Sequence, residues 1–336
     1  MFLNISNDVI DLTFATYTVE YYGCLIIVNA GLVANSLNIL VSMRKELQKN
    51  TMGFYNILMS VFNNLTLIVV AYLNMYPQTI GQEAMLTRSN YSCMLVLYAT
   101  KIFPHMASWL SVMVTLDRMI CVFNTNRFKF INEKRKLFFI ALGLFMSICA
   151  INVPNLFFSL QTQATYDMGT NQTTLNIECT ATYSIRLIRD TLGSITRVLL
   201  PTVLSFVINS ILICKLLNIR KRSGLARSLS KEHQFAFTII ILNFFYLVLE
   251  LPILVSVVFV NLYGYTETFI SRTSNESAIA SFVYVCSYIT TSFVYVSLFF
   301  VNLLSNRVFR KECADIWLGV CKIKCMHLVA FNSVSS

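Results

Sequence analysis

The sequence predicts an all-α membrane protein, a bundle of seven transmembrane helices followed by a short amphipathic eighth helix. Of its 336 residues, 56% are hydrophobic and only 12% are charged, whereas soluble domains carry about 25% charged residues. Apolar runs of roughly 17 to 25 residues or a little more, long enough to cross a bilayer, occur seven times. They cover residues 21–43, 55–76, 94–122, 138–160, 191–217, 235–262 and 278–304.

The connections between these runs are mostly short and polar, with no repeat and no Pro- or Ser-rich linker. One bundle is therefore expected over residues 21–304. It is preceded by an extracellular N-terminal segment, residues 1–20, and followed by the cytoplasmic eighth helix and tail, residues 305–336.

Positive charge sets the predicted orientation. Of 26 Lys and Arg residues, 20 lie in the first, third and fifth connections and in the tail. The positive-inside bias puts these segments in the cytosol, with the N-terminus extracellular and the protein in the plasma membrane. Acceptor triplets for glycosylation, at Asn4, Asn90, Asn171 and Asn275, all fall on segments that this charge count places outside. Because the cations are dispersed among spans, the net charge of +10 does not indicate nucleic-acid binding.

The ten cysteines follow the same topology. In the extracellular segments we place only Cys93 and Cys179, and we predict a disulfide that ties the second outer loop, residues 161–189, over the mouth of the bundle. Cys321 and Cys325 follow the last span on the cytosolic side and are candidates for palmitoylation. The Cys and His residues do not cluster with zinc spacing, so no metal and no cofactor are expected.

The third span has a charged inner end, the triplet Asp117-Arg118-Met119. Arg118 lies 25 residues after Cys93 (118 − 93 = 25), which is about 37 Å along a helix with a rise of about 1.5 Å per residue. An ionised pair is costly in lipid. We therefore expect the triplet at the inner surface and the cysteine at the outer one.

With these features the chain resembles the rhodopsin-like (class A) G-protein-coupled receptors over essentially its full length, in the style of invertebrate neuropeptide or orphan receptors. The triplet is similar to the family's Asp-Arg-Tyr. Residues 31–35, Gly-Leu-Val-Ala-Asn, resemble Gly-x-x-Gly-Asn, in which the asparagine forms a hydrogen bond inside the bundle. Pro201 and Pro252 match the prolines of the fifth and sixth helices.

The predicted eighth helix runs from about residue 306 to 320. Apolar residues at spacings of three and four form one face of it. They are Phe309, Cys313, Ile316, Trp317 and Val320.

The chain departs from the family at three motifs. Asn64 stands where the family usually has Asp, which implies loss of the family's sodium site. Glu250 replaces the tryptophan of Cys-Trp-x-Pro. Residues 298–302, Leu-Phe-Phe-Val-Asn, stand in place of Asn-Pro-x-x-Tyr, while a shifted match at 291–295 recovers a tyrosine but adds seven residues before the eighth helix. The resemblance then implies an activation path that differs from the usual one.

The resemblance also implies a latch at the inner surface. Glu232 begins the sixth span 20 residues before Pro252 (252 − 232 = 20), at the family position that pairs with the arginine of the third helix. Arg118 and Glu232 would form an ion pair that holds the inactive state, with Asp117 as the local partner of the arginine. The alternative is that Glu232 is a solvated carboxylate at a helix end.

Two ligand classes are disfavoured. Amine receptors of the family carry an Asp on the third helix as counter-ion, and the matching position, seven residues after Cys93, is Thr100. Opsins need a lysine in the seventh helix for the retinal Schiff base, and residues 278–304 contain no lysine.

Three charged residues remain inside the predicted bundle: Lys101, Arg197 and Glu250. An intramembrane charge is by default a functional-site hypothesis. Lys101 and Arg197 could receive a carboxylate or carbonyl of the ligand, with Glu250 balancing them in the empty site. The alternative is a structural pair of Glu250 with Arg197. Thr100, Tyr284 and Tyr288 complete the predicted pocket.

The predicted function is that of a receptor that binds an extracellular ligand, favoured as a neuropeptide, and activates a heterotrimeric G protein in contact with membrane lipid. A chemosensory receptor for a small molecule is the alternative. A seven-span transporter or channel would more often have helices broken by Gly and Pro, and this chain has only 10 Gly and 5 Pro. The sequence contains no pattern of a nucleophile with a base and no phosphate-binding loop, so an enzyme is not indicated.

Overall fold

The fold is known from a computed structural model. It describes residues 7–48, 51–75, 85–123, 134–167, 172–223, 231–263 and 274–318. Within these ranges, six helices are long and apolar enough to cross a membrane. They are Asp11–Ser42, Thr51–Val70, Asn90–Phe123, Tyr183–Lys215, Phe237–Val255 and Ile279–Ser305. Each overlaps one of the seven predicted spans.

The bounds of the long elements define the labels used below. The first four helices are α1 (Asn7–Ser42), α2 (Thr51–Thr66), α3 (Asn90–Phe123) and α4 (Lys134–Ile151). The strands are β1 (Ser159–Asp167) and β2 (Gln172–Thr180). Helix α5 runs through Tyr183–Gly193, Ser194–Leu199 and Leu200–Ser223. The last helices are α6 (Lys231–Tyr263), α7 (Ser274–Ser292, continued by Val294–Ser305) and α8 (residues 307–318).

Shorter helical segments join or extend these elements. Two are π-helical, Leu67–Met75 after α2 and Ser194–Leu199 within α5. The others are Lys45–Gln48, Met85–Thr87 and Val153–Phe157.

The fourth predicted span, residues 138–160, ends earlier than expected. Helix α4 stops at Ile151, and Val153–Phe157 follows as a 3-10 turn that contains Pro154. Pro154 has no backbone N–H to donate to the carbonyl of Ala150, four residues earlier, and its ring would clash with that carbonyl in an α-helix, which accounts for the end of the helix. The amide of Asn152 also bonds the carbonyl of Ile148 at 2.8 Å. The 18 residues of α4 span about 27 Å at a rise of about 1.5 Å per residue, near the thickness of a bilayer core.

Helix α1 packs closely against the π-helical segment Leu67–Met75 and against α7 at Gly31. A Cβ added there would collide with Leu67 and lie 3.0 Å from Val296. One turn further on, Asn35 Nδ2 donates to the carbonyl of Tyr295 at 3.0 Å. The expected hydrogen bond of this asparagine inside the bundle is present, because the small glycine lets the helices approach closely.

Helix α7 is interrupted although it contains no proline. Its two parts meet at Phe293, whose backbone N–H donates to the carbonyl of Thr290, three residues earlier, at 3.2 Å. The carbonyl of Phe293 accepts from the backbone N–H of Ser297 at 2.9 Å as in an α-helix, so the irregularity is confined to one turn.

Helix α8 turns its predicted apolar face only partly inward. Phe309 and Cys313 are buried, while Trp317 is 60% exposed. Val320 lies outside the described residues.

Candidate functional site

One end of the bundle is covered by a β-hairpin. Strands β1 and β2 pair antiparallel, with Ser159 opposite Thr180. The predicted disulfide between Cys93 and Cys179 is present and joins β2 to the start of α3, with a Cα–Cα distance of 5.6 Å. The backbone N–H of Leu160 donates to Asn90 Oδ1 at 2.8 Å. We call this the disulfide end; the opposite end, at Arg118, is the Arg118 end.

A cavity of about 600 Å³ lies between the helices at the disulfide end. Of the six residues predicted to bind ligand, five line it: Thr100, Lys101, Arg197, Tyr284 and Tyr288. The hydroxyl of Thr100 donates to the carbonyl of Leu97 at 2.7 Å. These five residues come from three helices and lie up to 188 positions apart in the sequence (288 − 100 = 188), yet they all line one cavity.

The sixth residue, Glu250, is not among the cavity's lining residues. It is 3% exposed, and its Oε2 has no hydrogen-bond partner in the described part of the chain. Tyr246, one turn earlier on α6, bonds the Glu250 carboxylate, and the two hydroxyls of Tyr246 and Ser108 lie 2.5 Å apart. The charge of Glu250 acts on Arg197. Glu250 is therefore part of a buried link between the cavity and α3.

Sequence reasoning missed several charged groups of the cavity, among them Glu20, Arg189 and Asp190. Glu20 was assigned to the extracellular segment 1–20, but α1 already begins at Asn7. Arg189 and Asp190 were assigned to the outer loop or its border, but α5 begins at Tyr183. To place these three charges on the cavity, the sequence would have had to predict that α1 and α5 begin earlier than their apolar runs.

Arg189 and Asp190 satisfy each other. Arg189 Nε donates to Asp190 Oδ1 at 2.7 Å and Arg189 Nη2 donates to Asp190 Oδ2 at 3.0 Å. The guanidinium also lies over the ring of Phe158, 4.5 Å from its centre. Such a bidentate pair is locally neutral, so the uncompensated charges of the cavity must be sought elsewhere.

His105 fixes part of the cavity wall. Its Nε2 lies 3.1 Å from the carbonyl of Thr196, and the amide nitrogen of Asn152 lies 3.0 Å from its Nδ1. A carbonyl only accepts, so Nε2 carries the proton and Nδ1 accepts from the amide. Trp109 Nε1 donates to the same carbonyl at 2.9 Å. Helix α3 is thereby joined to the π-helical turn of α5 and to the end of α4.

The triplet at the Arg118 end is buried. Arg118 is fully buried, and its Nε donates to Asp117 Oδ2 at 3.1 Å. Thr51, at the start of α2, donates to the same carboxylate oxygen at 2.8 Å and accepts from Arg118 Nη2. Met119 is partly buried. Asp117 is thus the local partner of Arg118, while Thr51 is a further partner that the sequence did not indicate.

Several predicted sites cannot be compared with the structure. The backbone of Glu232 belongs to α6, but its side chain lies outside the described residues, as does that of Asn275. Asn4, Asn171, Cys321 and Cys325 lie outside them altogether. Asn90 is exposed at the start of α3.

A polar cluster joins α3, α5 and α6 between the two ends. Ser111 Oγ donates to Asn243 Oδ1 at 2.7 Å, and Asn243 Nδ2 donates to Thr115 Oγ1 at 2.7 Å and to Asn209 Oδ1 at 3.3 Å. Asn243 is 5% exposed. Helix α6 is therefore held to α3 by side-chain hydrogen bonds in the buried middle of the bundle.

Comparison with known proteins gives one family. The family model for "7 transmembrane receptor (rhodopsin family)" matches residues 34–293, which is 260 of the 336 residues. No curated protein matches the chain.

Proposed function

The chain belongs to the rhodopsin family of seven-transmembrane receptors, and from this premise we propose that it binds an extracellular neuropeptide and activates a heterotrimeric G protein. The family is one of receptors and not of enzymes, and the protein crosses the membrane several times. In the proposal the disulfide end and the N-terminus face the extracellular side of the plasma membrane.

The observation that carries the proposal is the cavity of about 600 Å³ beneath a disulfide-anchored hairpin. Its volume lies within the roughly 300 to 1,000 Å³ of ligand sites in proteins. Thr100, Lys101, Arg197, Tyr284 and Tyr288 offer it donors and aromatic surface. An extended peptide could enter with a few residues and leave the rest against the hairpin.

The proposed signal passes from this cavity to the Arg118 end. A ligand shifts a two-state bundle only if it binds the two states with different affinity. Arg197 lines the cavity and interacts with Glu250, which is linked through Tyr246 to Ser108 of α3. A ligand that draws Arg197 toward itself would weaken its interaction with Glu250. This route replaces the tryptophan that the family usually has at position 250.

At the Arg118 end we propose that Asp117 and Glu232 bind Arg118 in the closed, inactive state. When α6 moves outward, Arg118 and Met119 contact the G protein. Thr51 supports this role, because it bonds both the aspartate and the arginine. Glu232→Ala should raise ligand-independent signalling. The matched control is Glu178→Ala, since Glu178 is exposed on β2. If Glu232→Ala reaches the cell surface normally and its basal signalling is unchanged, Glu232 does not hold Arg118 in the inactive state.

The ligand class is tested in cells that express the chain with a sensor of G-protein dissociation. One arm applies a neuropeptide library and the other a metabolite library. Activation by a peptide is expected. Activation by metabolites alone would favour the second candidate, a chemosensory receptor for a small molecule, which the moderate volume of the cavity also allows.

The proposed modifications can be tested on the same cells. Glycosylation at Asn4, Asn90, Asn171 and Asn275 predicts a loss of apparent mass on removal of N-glycans. Palmitoylation at Cys321 and Cys325 predicts incorporation of a palmitate analogue that the double Cys→Ser variant loses.

A further inference from the structure

The charges that face the cavity have opposite signs on different helices. Lys101 of α3 and Arg197 of α5 line it with two positive groups, and Glu20 of α1 lines it with a negative one. Lys101 interacts electrostatically with Arg197 and with Arg189, both of its own sign. Glu20 acts instead on Tyr284 of α7. The cavity therefore has a cationic wall on α3 and α5 and an acidic group on α1.

The acidic groups that act on the two cations are already engaged elsewhere. On Lys101 the acidic neighbour is Asp190, which Arg189 holds at 2.7 Å. On Arg197 it is Glu250, which is buried and is not among the lining residues of the cavity. An ionised group in a membrane-spanning segment is costly unless it is paired or faces water. An anion that enters between Lys101 and Arg197 therefore stabilises the cavity.

Glu250 does not take that place. It is not among the lining residues, it is almost fully buried, and Tyr246 already bonds its carboxylate. It acts on Arg197 but is not among the charged groups that act on Lys101. Lys101 is therefore left with neighbours of its own sign and with Asp190, which Arg189 holds.

We infer that the cavity takes a dipolar ligand, with an acidic group between Lys101 and Arg197 and a basic group at Glu20. For the peptide ligand proposed above, on which this inference rests, it specifies a free carboxylate rather than a carboxamide at the group that reaches α3 and α5. The basic group, an amino terminus or a basic side chain, pairs with Glu20. Charge complementarity of this kind fixes the direction in which a ligand enters.

The test uses purified full-length receptor and its thermal unfolding midpoint, which does not depend on G-protein coupling. The probes are defined tri- and tetrapeptides, each made in four forms: free at both ends, acetylated at the amino end, amidated at the carboxyl end, and blocked at both. The free form should raise the midpoint most. Amidation should abolish the rise, and acetylation should reduce it. The corresponding loss of affinity is expected to be roughly 10- to 100-fold per lost charged hydrogen bond.

Charge variants assign each end of the peptide. Lys101→Gln and Arg197→Gln should remove the preference for the free carboxylate, Lys101→Arg should keep it, and Glu20→Gln should remove only the preference for the free amine. Two matched controls should keep both preferences. They are Lys215→Gln, beside Phe123 at the far end of α3, and Asp315→Asn, at an exposed position of α8.

The inference is overturned if the four forms shift the midpoint equally, if none shifts it, or if Lys101→Gln keeps the preference for the carboxylate. These outcomes are distinct from a failure of the proposed function. If the purified chain binds free-acid peptides but activates no G protein in cells, the inference about the ligand of the cavity stands and the proposed receptor function fails.

Discussion

Asn243 offers the sharpest test of how α6 is held against α3. The substitution Asn243→Leu keeps the size of the side chain and removes its hydrogen bonds to Ser111 and Thr115, both at 2.7 Å. Thr115 retains its bond to the backbone carbonyl of Ser111 at 2.7 Å. Ser111 can turn its hydroxyl to a carbonyl of its own helix. The change therefore weakens the contact between the helices without leaving a buried charge.

The size of the effect follows from these two bonds. Hydrogen bonds between transmembrane helices contribute about 0.6 kcal/mol each on average, so the pair contributes about 1.2 kcal/mol. If α6 moves away from α3 on activation, the open state does not have these bonds. Their loss shifts the equilibrium between closed and open states by roughly eightfold toward the open state.

The assay is ligand-independent G-protein activation in cells, corrected for receptor at the surface. Asn243→Leu should raise it several-fold. The matched control is Asn29→Leu, because Asn29 is exposed on α1 and donates to the carbonyl of Leu25 in its own helix, at 2.7 Å. Equal basal activity of wild type and Asn243→Leu, or an equal rise in the control, would refute the assignment of this cluster as a restraint on α6.

Three further changes test other parts of the fold. Cys93→Ser should lower the unfolding midpoint and surface expression. A disulfide between cysteines 86 residues apart contributes up to about 4 to 5 kcal/mol to the free energy of unfolding, so unchanged values would contradict this. Gly31→Ala should cost about 1 to 3 kcal/mol by overpacking, whereas Gly143→Ala, with nothing within 4 Å, should not lower the midpoint. Thr51→Val removes two polar contacts of the buried triplet and should raise basal signalling; no change would show that Thr51 does not restrain Arg118.

The parts of this protein that sequence reasoning predicted depend on distance along a single helix, on the side of the membrane where a segment lies, or on composition. The disulfide followed from the placement of Cys93 at one end of a span and of Cys179 in a loop on the same side. The pairing of Asp117 with Arg118 is local to one turn. The apolar runs located the long helices because burial in lipid requires about 20 apolar residues whatever the neighbours are.

The contacts that sequence reasoning missed depend on the rotation of one helix against another. Thr51 meets Asp117 across 66 residues, and Asn243 meets Ser111 across 132. Nothing in the pattern of either helix fixes which face meets the other. The end of α4, by contrast, had a local signal in Pro154 that the hydropathy of residues 138–160 concealed.

The central claim is that this bundle couples an outer cavity to G-protein activation through Arg118. The direct measurement is nucleotide exchange by a heterotrimeric G protein on vesicles that contain the purified chain, with ion flux recorded on the same vesicles. We predict that the chain accelerates exchange, that Arg118→Ala removes the acceleration while the protein stays folded, and that no flux accompanies it. Ion flux without accelerated exchange would contradict the account and favour a channel or transporter.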